Sequence, residues 1–386
     1  VPERHLDTVA ITSGRDDSGA LAPALWPSTV WESTGLDDTH NRAGTLRPDA
    51  FYSRYANPTV NQFEQAITEL EGSESALAFA SGMGALAAVV FAFCGQGSHI
   101  VAQHTLYGGT LALLEGPCKR MGIDTTFVDA SVPGALASAV IPGKTMLVIV
   151  ETPSNPRIAI ADLAEVGAIS GPFTVVDSTM ATPLGQQPLS YGIDLVVHSA
   201  TKGIGGHNDA LLGVVAGEKE LIDALWQYAV LHGASASPHD ALNALRGIRT
   251  LPVRIRHQNE SALSLARALE EHSNISWVGH PFLESHPQHS LAKQQMTLGG
   301  SIVSFEVTGG IENARKVLSN LTLVRKATSF GGPETLICHP MTSTHIGLAP
   351  DVHAAMGVTE GLLRVSVGLE DPSDIIADIS QAVSNT

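Results

Sequence analysis

Val196-Val-His-Ser-Ala-Thr-Lys202-Gly203 runs from an apolar strand pattern into small polar residues, a lysine and a glycine-rich stretch ending at Gly206. A lysine at the carboxyl end of a buried strand is poorly hydrated, which lowers its pKa and presents a neutral amine. A lysine that forms a Schiff base with a carbonyl group needs that amine. Ser199 and Thr201 add hydroxyls that can donate to a phosphate. Taken alone, the pattern fits a lysine snorkelling from a strand end better, so the neighbouring strands decide.

Outward from this stretch, strand and helix signals alternate between about residues 60 and 245, the mark of a parallel, helix-covered sheet and thus of the α/β class. Asn61–Leu70 reads as a helix, Ala76–Phe79 as a strand, and Ser81-Gly-Met-Gly84 leads into a helix over Ala85–Phe93. His99–Ala102 and Thr126–Val128 are short strand candidates. Met146–Val150, Phe173–Val176 and Leu195–His198 are apolar runs that end in polar residues, as buried parallel strands with chemistry at their carboxyl ends do. Further on, Val253–Glu271 reads as a long helix, Ser301–Val307 and Leu363–Val367 as strands, and Ile311–Ser319 and Pro372–Val383 as helices. The expected organisation is an N-terminal arm over residues 1–60, a cofactor-binding domain over 61–245 and a smaller C-terminal α+β domain over 246–386. The arm reads as extended, with turns at Asn41–Gly44 and Arg47–Asp49.

Two further strand ends bear on Lys202. Asp177 follows the run Phe173–Val176, one strand–connection–strand unit upstream of the lysine. Ser81-Gly-Met-Gly84 sits between a strand and a helix, where free backbone N–H groups and small residues make a phosphate cradle. Separately, an aspartate here is an ordinary N-cap and the glycines an ordinary turn. In the order cup, acid, lysine they fit pyridoxal phosphate (PLP), whose ring nitrogen needs a neighbouring acid to take up carbanion charge.

The motifs Tyr52-Ser-Arg54-Tyr-Ala-Asn-Pro-Thr59, Tyr107-Gly-Gly-Thr110, Glu151-Thr-Pro-Ser-Asn155-Pro156, Asp177-Ser-Thr179, Ser329-Phe-Gly-Gly332 and Arg364–Asp371 accompany these signals in order along the chain. With them the chain resembles, nearly end to end, the Cys/Met-metabolism (transsulfuration) PLP enzymes. The resemblance implies fold type I of the PLP-dependent transferases, with a mostly parallel seven-stranded sheet. It also implies residue roles. Lys202 would carry the cofactor and shuttle protons, and Asp177 would pair with the ring nitrogen. Gly82, Met83, Ser199 and Thr201 would hold the phosphate. Tyr52 and Arg54 would reach that phosphate from a neighbouring subunit, in a homo-oligomer that is usually a dimer of dimers, a tetramer with shared active sites. Tyr107 would stack on the ring and act in acid–base transfer. Arg364 would clamp the substrate carboxylate with Ser329 and Asn155, the last also near the cofactor's phenolic oxygen.

The same resemblance frames the reaction as γ-elimination on an L-amino acid with a sulfur- or oxygen-linked leaving group at Cγ, giving 2-oxobutyrate and ammonia. The alternatives are γ-replacement on an O-acylhomoserine with cysteine or sulfide, and a PLP-binding protein without turnover. Gly109 stands where methionine γ-lyases carry a cysteine, and Thr328 where cystathionine-handling members carry a glutamate. Gly203, Ser178 and His104-Thr-Leu106 also depart from the common pattern.

Composition narrows the partners. The 386 residues carry 22 basic and 38 acidic side chains, a net charge of −16. An anionic surface repels nucleic acid and anionic lipid, so the expected partner is a small amino-acid substrate. The most apolar run, Ala85–Phe93, is too short to span a bilayer, and Val1-Pro-Glu-Arg-His5 has no leader pattern. Cys94, Cys118 and Cys338 match no zinc spacing and read as buried, reduced thiols of a cytoplasmic protein. The histidines from His280 to His289 read as loop packing, with no metal site.

Overall fold

The computed structural model describes residues 4–386; the first three residues of the segment read for a leader lie outside it. Seven strands form the larger sheet: β1 (Ser75–Phe79), β2 (His99–Gln103), β3 (Asp124–Val128), β4 (Thr145–Glu151), β5 (Phe173–Asp177), β6 (Leu195–His198) and β7 (Gly213–Gly217), in the order β1-β7-β6-β5-β4-β2-β3. β3, β2, β4, β5 and β6 pair in parallel, while β7 runs antiparallel to both β6 and β1. The sheet is therefore mostly parallel. Apolar runs fill its centre because helices cover it: Val175, Val176, Leu195 and Val196 are fully buried. Each such side chain stabilises the fold by about 1.5–3 kcal/mol.

A second sheet, β10-β11-β12-β9-β8, contains β8 (Ile275–Gly279), β9 (Ile302–Val307), β10 (Arg325–Lys326), β11 (Leu336–Cys338) and β12 (Leu362–Ser366). It packs its own core, with Phe305, Leu363 and Val365 against Leu265 and Leu269 of the long helix Leu251–Glu270 and Ile379 of the last helix, Pro372–Ser384. This is the smaller α+β unit expected from the sequence.

The arm departs from its expected form. Asn41–Gly44 lies inside a helix, Leu36–Gly44. Asp37 and Asp38 in its first turn suit the helix dipole, and Arg42 pairs with Asp38 one turn away at 2.8 Å. A second short helix, Leu6–Thr12, is tied to its own chain by Asp7, which accepts from both terminal nitrogens of Arg256 at 2.5 and 2.6 Å. Elsewhere the helix signals place well: Pro58–Glu71 starts on the Asn57 side chain, which accepts from the Thr59 N–H, and stops at left-handed Gly72. The three cysteines are buried, and burial, with Cys118 nearby, pushes the Cys94 thiol up to about 12. His280 and His286 bond the Gly300 and Ile158 carbonyls at 3.2 Å each, and burial takes His280 down to about 4.

Candidate active site

The carboxyl ends of β4, β5 and β6 open onto a cleft of about 500 Å³. Lys202, Asp177, Glu151, Tyr107, Asn155, Ser329 and Arg364 all line it, as do Gly82, Met83, Ser199 and Thr201. Residues spread over nearly three hundred positions of sequence thus converge on one lysine. Tyr52 and Arg54 do not line the cleft of their own chain. Arg54 stacks near the Tyr52 and Tyr55 rings, 5.5 and 5.2 Å from their centroids, and donates to the Val230 carbonyl.

Lys202 Nζ donates to Ser329 Oγ at 2.7 Å. Burial, reinforced by the charge of Arg364, lowers its pKa to about 8, so an appreciable neutral fraction exists near neutrality. Ser329 holds the left-handed backbone (φ 79°), which costs a non-glycine residue energy that the surroundings must offset. Its carbonyl accepts from Arg364 Nη2 at 2.7 Å, while Asn155 Oδ1 accepts from Nη1 at 2.9 Å. Arg364, on β12, is only 2 % exposed, and its Nε has no partner among the described residues. A buried guanidinium facing a cleft with one N–H still free is suited to a carboxylate.

Asp177 Oδ1 accepts from the Thr179 N–H at 3.0 Å and from its hydroxyl at 2.5 Å, and Thr179 Oγ1 in turn accepts from the Ser199 N–H at 2.9 Å. Burial raises the Asp177 pKa against these bonds. Thr179 therefore links the acid of β5 to the segment that carries the lysine. Sequence reading placed Thr179 in a motif without giving it this role, because only the fold shows that it spans two strand ends.

Helix Gly82–Phe93 starts on Ser81, whose Oγ accepts from the Gly84 N–H at 3.0 Å. That leaves the Gly82 and Met83 N–H groups at the open first turn, beside Ser199. A Cβ on Gly82 would stand 2.7 Å from that of Ser199, so only glycine leaves the cradle open. The Thr201 hydroxyl is occupied with the Leu212 backbone, accepting from its N–H at 2.9 Å and donating to its carbonyl at 3.2 Å. The turn after Lys202 is braced from beneath by Arg254, whose guanidinium donates to the carbonyls of Gly203, Ile204 and Gly247. Arg254→Met leaves the Gly203 and Ile204 carbonyls without a partner, since that of Gly247 keeps the Thr250 N–H, and is expected to cost about 3 kcal/mol, read from urea unfolding.

An amine of lowered pKa, an acid on the adjoining strand, an open helix start and a buried guanidinium make a site fitted to an aldehyde cofactor that bears a phosphate and an amino-acid substrate. The family model described as Cys/Met metabolism PLP-dependent enzyme matches residues 7–384. An L-methionine gamma-lyase of Pseudomonas putida is 38% identical over 374 residues, 96% of this chain and 94% of that protein. An O-succinylhomoserine sulfhydrylase of Pseudomonas aeruginosa is 38% identical over 383 residues, 98% and 95% of the two chains. The crystal structure of cystathionine gamma synthase from Xanthomonas oryzae pv. oryzae in complex with aminoacrylate and cysteine superposes with a TM-score of 0.93 at 35% identity, covering 99% of this chain and 98% of that one. The chain belongs to the Cys/Met-metabolism PLP-dependent enzymes. Its cofactor is pyridoxal phosphate.

Glu151 opens the Glu151–Pro156 motif, and the sequence alone assigns it no role. It is buried at the end of β4, directly across the ladder from Asp177. Burial, and then the Asp177 charge, hold its carboxyl well above the usual range. Among the described residues no helix is long and apolar enough to cross a membrane.

Proposed function

We propose that this enzyme catalyses γ-elimination on an L-amino acid whose Cγ bears an uncharged sulfur- or oxygen-linked leaving group, releasing 2-oxobutyrate and ammonia. The observation that carries this reading is the distribution of charge in the cleft. The ionisable groups gather at one part of the cleft: Glu151 faces Asp177 across the ladder and feels the charge of Arg364, which in turn acts on Lys202. The remaining wall includes Thr110, Thr328, Ser343 and Thr344 together with Leu86, Met180 and Leu211. Such a wall accepts a neutral thioether, thiol or ester and offers a distal ammonium no carboxylate at Thr328.

When bound, pyridoxal phosphate supplies an aldehyde for the amine and a ring that draws electron density from the substrate Cα. The chain's own groups do the rest. Asp177, held by Thr179, keeps a proton at the ring nitrogen. The Gly82 and Met83 N–H groups and the Ser199 hydroxyl would hold the phosphate, Thr201 would join them only by giving up its bond to the Leu212 carbonyl, and Tyr107 would cover the ring. Arg364, fixed by Asn155 and the Ser329 carbonyl, orients the substrate carboxylate. The Lys202 amine would take the proton from Cα, give it up to the electron-rich cofactor and so become free again to take one from Cβ, which would drive out the group on Cγ. The Ser329 hydroxyl steadies that amine between transfers.

A panel of homocysteine, methionine, O-acylhomoserines and canavanine, each with and without cysteine, tests the reading. Keto acid formed without added thiol supports elimination. A thioether formed only with cysteine supports γ-replacement, a reading kept open because the sulfhydrylase and the γ-lyase are equally identical to this chain.

Tyr52 and Arg54 are proposed to complete the phosphate site of a second copy of the chain, since they stand outside their own cleft. Hybrids of inactive Lys202→Ala and Arg54→Ala chains are then expected to recover activity at about a quarter of the sites after random pairing in a two-fold dimer. Each hybrid has one site built only from unaltered residues. No recovery would mean that each chain builds its site alone.

A further inference from the structure

We propose that Glu151 is a positioning residue: its single carboxyl group fixes the spacing between the loop that carries Tyr107 and the loop that carries Asn155. One oxygen, Oε2, accepts from the Tyr107 N–H at 2.6 Å, and the other, Oε1, from the Asn155 N–H at 2.8 Å. These loops leave different strands, β2 and β4, and no helix or ladder joins them at these residues. The Glu151 main chain is braced on the same side, since Gln103 Nε2 donates to both the Glu151 and Thr105 carbonyls, at 2.8 and 2.5 Å.

The consequence runs to the substrate end of the cleft. Asn155 Oδ1 bonds Arg364 Nη1, so the Glu151 carboxyl reaches the carboxylate clamp through one residue. Its other oxygen reaches Tyr107 directly, and Asp177 lies across the ladder. One buried group thus ties the main chain at Tyr107, the residue proposed to cover the ring, to the main chain at Asn155, whose side chain holds the clamp. Burying a carboxyl beside a second one is costly, and the raised proton affinity of Glu151 expresses that cost. A structural spacer would be met as well by an apolar side chain, whereas two N–H donors that each meet a different oxygen are both satisfied here by a carboxyl group.

The inference rests on the PLP-site reading, and the test separates the two. Glu151→Gln has the same shape but one acceptor, and its amide N–H₂ would face one of the two N–H donors, so only one loop is held. The probe is L-norvaline, an amino acid with no leaving group on Cγ, titrated into PLP-loaded protein and read from the absorption of the bound cofactor. Glu151→Gln is expected to keep one cofactor per chain, to weaken norvaline binding about tenfold, and to lose visible circular dichroism as the Tyr107 loop shifts. A role in folding alone would lower cofactor content and melting temperature while leaving the affinity and dichroism of the loaded fraction unchanged, and would overturn the inference. If the glutamine chain fails to fold, Glu151→Asp, with both oxygens on a stem one methylene shorter, carries the same comparison with the same expected direction. A wild-type chain with no saturable response to norvaline would instead sink the site reading. Normal wild-type binding with an unchanged variant would sink the inference alone.

Discussion

Lys202→Ala is expected to lower turnover by about four orders of magnitude or more, with melting behaviour close to that of the unaltered chain. The size follows from losing two roles at once, the covalent anchor and the proton carrier, the second of which alone contributes about 10²–10⁴-fold. The fold is spared because the side chain ends in a cleft, and its visible partners are the Ser329 hydroxyl and the Phe330 ring, 5.3 Å from Nζ. The same lysine gives a pH prediction whose sign can be worked out. Its pKa is lowered to about 8, and only the neutral amine attacks an aldehyde. In protein stripped of cofactor, the rate of PLP capture should rise as pH increases through about 8 and then level off. Stopped-flow absorption measures it. A rate already flat from pH 6 upward, or one still rising at pH 10 as for an ordinary lysine, would contradict the stated environment.

Arg364→Leu is the second large effect. The guanidinium is 2 % exposed and held on two sides, by Asn155 and the Ser329 carbonyl, so it is aimed before any substrate arrives. A charge-assisted pair with a carboxylate in such a place is worth about 1.5–3 kcal/mol per bond. Its removal should therefore cut kcat/KM about 10²–10³-fold. Cofactor content should be unchanged, because Arg364 bonds Asn155 and the Ser329 carbonyl and none of the groups proposed for the phosphate. A further sign is fixed by electrostatics. Arg364 is the second cause of the depressed Lys202 pKa, after burial, so removing a positive charge makes protonation of the lysine easier. The midpoint for PLP capture should move up in Arg364→Leu. An unchanged midpoint would mean that the two groups are screened from each other.

The parallel strands were legible because their burial on both faces turns them into unbroken apolar runs. Leu195–His198 was located to the residue, and Phe173–Val176 fell one short of β5. β7 was not, since Gly213 and Gly217 bracket a short Val-Val-Ala run that looks like a turn-rich linker. Its antiparallel pairing with β1 and β6 is a tertiary fact. In the arm, polarity hid the helix Leu36–Gly44, whose stability comes from charges on its own turns, a pattern that apolar periodicity does not report. At the site, Lys202, Asp177 and the Ser81 turn carried signals of their own because strand ends and glycine turns are local features. The resemblance supplied Arg364, Asn155 and Ser329, and the structure brings the three into one hydrogen-bonded set. Glu151 and Thr179 stayed unassigned, because their partners are set by strand register and by loops far apart in sequence.

Reducing the PLP-loaded protein with borohydride and mapping the modified peptide by mass tests the Lys202-centred site most directly. The account predicts one pyridoxyl group per chain, on Lys202, in the peptide that spans β6 and the following turn. A label on a different lysine, or none on a protein that still holds stoichiometric cofactor, would contradict it.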